Sequence, residues 1–123
     1  MVNKQGFENF IEQDISMVRG DTLSFNFQIA GLGEDEPTFE MVCRETYTTN
    51  DLIFSADSDE GIDLIDDTNG VKTYAVWVHP IQTSGTKAGR YVYDLRMTNG
   101  EDKLTLMRGY LTILDKVRST NGF

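Results

Sequence analysis

Nucleophilic chemistry would need a thiol beside a base, and this chain has a single cysteine and a single histidine, Cys43 and His79. Cys43 stands inside an apolar alternation, the setting of a small buried core residue. His79 precedes Pro80 at the end of a β-prone run. One cysteine can close neither an intramolecular disulfide nor a multi-cysteine zinc site, which fits a compartment that tolerates a free thiol. The acids offer the next chemistry. Asp57, Asp59, Glu60, Asp63, Asp66 and Asp67 lie together with no lysine or arginine among them. Calcium takes several such oxygens, but the EF-hand spacing fails here. Gly61 occupies the fifth loop position, where a ligand belongs, and no bidentate glutamate closes the loop. A solvated acidic strand edge that resists unwanted pairing is the favoured reading of this stretch. Glu34-Asp35-Glu36 reads as a wet loop, and Arg19-Gly20-Asp21, although it matches the tripeptide that integrins bind, reads as a tight turn. Gly85-Thr86-Lys87-Ala88-Gly89 reads as a strand connection rather than an anion nest. No Gly-x-Ser-x-Gly elbow, phosphate-binding loop or dinucleotide fingerprint occurs. No catalytic residue, metal or cofactor is therefore expected, and the chain does not read as an enzyme.

The elements that must carry any site are strands. Leu23, Phe25, Phe27 and Ile29 alternate with Thr22, Ser24, Asn26 and Gln28, the period of a half-buried strand. Ile15, Met17 and Val18 form a short strand before it. Phe39, Met41 and Cys43 alternate in a third, and shorter runs cover residues 52–55 and 62–65. Residues 71–79 place Tyr74, Val76 and Val78 on one face with Ala75 and Trp77 on the other. Such a strand is central, or meets another protein on its outer face. Tyr91, Tyr93, Leu95 and Met97 alternate up to Asn99-Gly100, the strongest hairpin signal in the chain. On the return, Leu104 and Leu106 give way to Leu111 and Ile113, a parity change that predicts a bulge or kink across Gly109. At the N-terminus Phe7, Phe10 and Ile11 fall at i, i+3 and i+4, the spacing of one helical turn, although an extended arm is the other reading.

With 123 residues, 39% hydrophobic and 25% charged, the composition is that of one globular domain able to bury a core without staples. Eleven basic against twenty acidic residues leave a net charge of −9. That balance disfavours nucleic acid and anionic membrane as partners. The basic residues are scattered along the chain and do not interleave with the aromatics. No membrane span and no signal peptide is expected from the short apolar runs. The pattern predicts an all-β, immunoglobulin-like antiparallel β-sandwich of about seven to nine strands. Its expected organisation is an N-terminal arm over residues 1–13, the sandwich over 14–117 and a C-terminal tail over 118–123.

Tyr91 and Tyr93 sit where sandwich folds place a tyrosine that ties a corner to the backbone. Phe7, Phe10, Ile11, Trp77 and Tyr110 are the residues expected to anchor a partner, since large apolar and aromatic side chains dominate interface energetics. Asp14-Ile15, then Arg19-Gly20-Asp21-Thr22 and Leu23-x-Phe25-x-Phe27-x-Ile29, are followed by Ala88-Gly89-Arg90-Tyr91-Val92-Tyr93-Asp94-Leu95 and Leu104-x-Leu106-x-x-Gly109. Across residues 14–117 this series resembles the N-terminal immunoglobulin-like domain of the phage upper baseplate protein family. The resemblance implies a virion structural protein, made in the bacterial cytoplasm, that binds other virion proteins in baseplate, tail or head, as a homo-oligomer on the particle. Family members usually attach a fibre or receptor-binding module, and this chain shows none, so a stand-alone adaptor or a capsid decoration protein is a serious expectation too. The alternative is a carbohydrate- or cell-surface-binding module using Trp77, Tyr47 or Tyr110, and a small hydrolase ranks third.

Overall fold

A computed structural model describes residues 10–117. The expected arm residue Phe7 and the tail 118–123 lie outside the described residues. Nine strands form two sheets: β1 (Ile11–Glu12), β2 (Ile15–Val18), β3 (Leu23–Ala30), β4 (Thr38–Arg44), β5 (Leu52–Asp57), β6 (Ile62–Thr68), β7 (Val71–Val78), β8 (Gly89–Asn99) and β9 (Asp102–Leu114). The larger sheet runs β1-β9-β8-β4-β5, with β2 also on β9, and the smaller runs β3-β7-β6. The fold is the expected immunoglobulin-like β-sandwich. It is antiparallel throughout except at one edge, where β1 and β2 pair parallel with β9.

The core lies between the sheets and uses the alternating residues that the sequence picks out. Phe39, Met41 and Cys43 of β4 meet Tyr74, Val76 and Val78 of β7, with Tyr93, Leu95 and Met97 of β8 beside them, all buried. Phe27, Phe39 and Tyr74 bring three rings together across the sheets at centroid distances of 5.2, 5.3 and 4.4 Å. Those separations suit offset and edge-on aromatic packing. Burial pushes the Cys43 thiol up to about 12, so it behaves as a core residue and not as a nucleophile.

Of three local expectations, one is decided and two shift. At Phe10 and Ile11 the spacing leaves a helical turn and an extended arm open, and the extended form holds, with Ile11 and Glu12 paired with Met107 and Arg108 as a short strand. Backbone pairing outweighs a three-residue periodicity too short to nucleate a helix. The parity change in β9 arises at Leu106, the extra residue between the pairs Leu95↔Met107 and Arg96↔Thr105, rather than across Gly109. The Asn99-Gly100 hairpin forms with a two-residue loop, but that loop is Gly100-Glu101, because Asn99 still pairs with Asp102. Asn69-Gly70, by contrast, makes its turn with both residues at positive φ, 55° and 78°, as a primed hairpin turn requires.

Gly109 has a different task. It lies between Tyr93 on β8 and the Gln13-Asp14 segment on the other side. A Cβ there would stand 2.5 Å from the Gln13 carbonyl oxygen. Across the space this leaves, the Tyr93 hydroxyl donates to that oxygen, and Asp14 Oδ1 accepts from the Tyr110 N–H at 3.0 Å. The edge strand breaks into β1 and β2 at this point because a tyrosine and a carboxylate take hydrogen bonds there. Tyr91 supplies the expected corner, its hydroxyl donating to the Lys87 carbonyl four residues upstream.

A candidate protein-binding face

On β4, β8 and β9 the residues between the core positions face outward, and strand register places them in rows. Val42, Asp94 and Arg108 form one row, Arg44, Val92 and Tyr110 the next, and Glu40 pairs with Arg96. Arg90, on the same parity of β8, lies over the Tyr110 ring at 4.5 Å. Arg108 lies over the Tyr47 ring at 4.1 Å and the Phe10 ring at 5.4 Å, with its Nε donating to the Tyr47 hydroxyl at 3.4 Å. Tyr47 in turn donates to the Gly109 carbonyl. Arg44 donates to the Asn50 carbonyl at 2.9 Å, and Arg96 stands 3.6 Å from the Asp94 carboxylate. Between Glu40, Arg44, Tyr47, Asp94 and Arg96 lies a shallow depression of about 240 Å³.

Four of the six arginines thus share one face with two tyrosines that are 48% and 46% exposed, in a chain of net charge −9. Linear sequence scatters these residues, and the folded sheet gathers them. The reason is pairing: β4, β8 and β9 each contribute one or two arginines, and the ladders bring them side by side. The signal was present as the complement of the core alternation, in Arg90-x-Val92-x-Asp94-x-Arg96. Planar guanidinium groups stacked on rings are held in place yet keep donors free at their edges.

Of the expected anchors, Phe10 and Tyr110 join this face together with Tyr47. Ile11 turns toward a cleft of about 420 Å³ that it lines with Phe27, Ile29, Leu95 and Met107. Trp77 lies on the opposite side of the sandwich, on the outer face of β7, and is 62% exposed.

The other singled-out groups have structural work. Arg19-Gly20-Asp21 makes the turn from β2 to β3, with Gly20 at φ 83°, the Asp21 N–H donating to the Val18 carbonyl, and Arg19 paired with Asp115 at 2.9 Å. Asp57 accepts from the Asp59 and Glu60 N–H groups, which closes a turn, and Asp63, Asp66 and Asp67 lie exposed along β6, an edge strand. Among the described residues, no three His, Cys, Asp or Glu side chains converge as metal ligands. His79 caps the short 3-10 turn at Pro80–Gln82, its Nδ1 accepting from the Ile81 N–H.

No protein-family model matches the chain, and no curated protein does. Among solved structures it is similar to part of a family 123 glycoside hydrolase from Clostridium perfringens, at TM-score 0.54 and 12% identity over 94% of this chain. The chain spans only a quarter of that enzyme, 25% of its length. It is also similar to the NK cell receptor Nkp44, at TM-score 0.45 and 14% identity over 88% of this chain and 99% of that one. A third likeness is to the extracellular domain of the voltage-gated sodium channel beta4 subunit, at TM-score 0.39 and 14% identity over 86% and 93% of the two chains. At these identities the likeness is one of fold alone.

Proposed function

We propose that this protein is a non-enzymatic building block of a phage particle that binds other virion proteins through the outer face of its larger sheet. The observation that carries the binding role is the cluster of Arg44, Arg90, Arg96 and Arg108 with Tyr47 and Tyr110 on one exposed face. Tyrosine and arginine are the residue types that concentrate binding energy at protein interfaces. The phage assignment is supported by the resemblance carried by Asp14-Ile15, Arg19 to Ile29 and Ala88 to Leu95. Head and tail locations both fit it. The test is density-gradient purification of particles from cells that produce the chain together with the phage structural proteins. The protein should band with the particles, and Tyr47→Ala with Tyr110→Ala should release it while leaving it folded. A protein that never bands with particles removes the virion role. A double variant that stays bound removes this face.

A second reading rests on Trp77. Its exposed indole lies beside Ser24 on β3, one row from Asn26 and Asp63, which makes a flat aromatic surface with polar neighbours. Such a surface suits a sugar ring. Binding on a glycan panel that disappears in Trp77→Ala would favour this reading, and a blank panel would dismiss it.

A further inference from the structure

Among the described residues each sheet has two free edges, and all but one carry a guard. The outer edge of β6 bears Asp63, Asp66 and Asp67. On the free side of β5, Gln82 clamps Ser55, its Oε1 accepting from the Ser55 N–H and its Nε2 donating to the Ser55 carbonyl, both at 3.2 Å. The β1/β2 edge is short and broken at Gln13-Asp14. Only β3 is bare. It is eight residues long, Leu23–Ala30, with no charge, proline or glycine, and among the described residues no strand pairs with its outer side. Long uncharged edges are what proteins ordinarily avoid, because they recruit other strands.

The residues of this edge also mirror one another. Around Asn26 stand Phe25 and Phe27, then Ser24 and Gln28, then Leu23 and Ile29. The two phenylalanines are only half-buried, while Ser24, Asn26 and Gln28 are exposed. We propose that β3 is a homodimerisation edge, on which a second copy of the chain pairs antiparallel about a twofold axis at Asn26. Each pairing then joins like with like: Phe25 opposite Phe27, Leu23 opposite Ile29, Ser24 opposite Gln28, and Asn26 opposite Asn26. The two three-stranded sheets become one of six strands. Aromatic and aliphatic cross-strand pairs stabilise such a ladder. The absence of charge along β3 matters doubly, because two molecules of charge −9 repel and only an uncharged edge lets them approach. The cleft between β1 and β3 leaves room beside Phe27 and Ile29 for the incoming strand. A twofold axis sets each residue against its mirror position and back again, and the mirrored pattern makes every such pair a matched one. This inference is independent of the phage role and uses an edge distinct from the arginine–tyrosine face.

The test is sedimentation across a concentration series of the full chain, with oxidative cross-linking of two variants. The wild-type chain should dimerise, and Asn26→Lys, which sets two like charges face to face, should weaken the dimer by roughly tenfold or more with unchanged circular dichroism. Asn26→Cys should form a disulfide-linked dimer, whereas Asp63→Cys on β6 should not, and buried Cys43 should stay reduced in both. A wild-type chain that is monomeric at every concentration overturns the proposal. So does a dimer indifferent to Asn26→Lys and uncross-linked through Asn26→Cys. A thiol at position 26 that becomes reactive only after residues 1–9 are removed also overturns it and gives the edge to the chain's own N-terminal segment.

Discussion

At the scale of single residues, Tyr93, Gly109 and Gln13 form a row in which ordinary substitutes are excluded by distance. Any side chain at 109 meets the Gln13 carbonyl at 2.5 Å. Gly109→Ala should therefore push the edge strands off β9 at a cost of about 1–3 kcal/mol in urea unfolding, with faster hydrogen exchange at the Tyr110 amide that Asp14 now holds. Tyr91→Phe removes one bond at a corner and should cost about 1 kcal/mol. Cys43 gives a pH dependence. In the folded chain its thiol ionises only near about 12, against 9.0 as its ordinary value. Above that ordinary value the unfolded chain loses a proton that the folded chain keeps, so stability present at neutral pH is lost as pH rises. The slope approaches ~1.4 kcal/mol per pH unit for one proton. Burial raises Tyr93 and Tyr74 as well, which adds loss of the same sign at higher pH. Urea midpoints at about pH 8 and about pH 10.5 should show the decline, and Cys43→Ala should be weaker overall but decline less.

At the scale of elements, the edges differ in how they are protected, and each protection can be removed alone. Gln82→Ala should unclamp β5 at a cost of about 1 kcal/mol, and should speed amide exchange at Ser55 more than at Val42 on the neighbouring strand. Replacing Asp63, Asp66 and Asp67 by asparagine keeps size and removes charge from β6. That variant should aggregate at concentrations where the wild-type chain stays clear, as light scattering would report. The turn at Asn69-Gly70 holds β6 against β7 with two residues in left-handed conformation. A side chain at Gly70 is strained there, with open space around it, so Gly70→Ala should cost about 1 kcal/mol through backbone conformation alone.

At the scale of the whole molecule, the three-ring contact of Phe27, Phe39 and Tyr74 binds the two sheets into one core. Unfolding should be a single transition, with far-ultraviolet circular dichroism and the near-ultraviolet signal of the packed aromatic rings giving coincident curves. Free Trp77 is mostly exposed, so its emission should lie close to that of the unfolded chain. The sandwich presents three separate surfaces: an arginine–tyrosine face, an indole face behind it and a bare strand edge. Their separation is what the proposed virion role asks of a small protein, in which each copy meets its own kind and its neighbours.

Alternation of apolar residues was enough to determine that this chain is all-β and which residues of β3, β4, β7 and β8 form its core, and it narrowed the corner tyrosine to Tyr91 or Tyr93. Those features are local, and strand period and turn chemistry write them directly into neighbouring residues. Register and pairing are not local. Leu106 rather than Gly109 carries the bulge because β8 and β9 must align along their whole length. The clamp of Gln82 on Ser55 joins residues 27 apart in sequence, and Arg44 shares a row with Tyr110, across Val92 of β8, only once three strands are laid side by side. The sequence held every arginine and tyrosine of the proposed binding face, but their meeting is a property of the ladder, which exists only in the folded sheet.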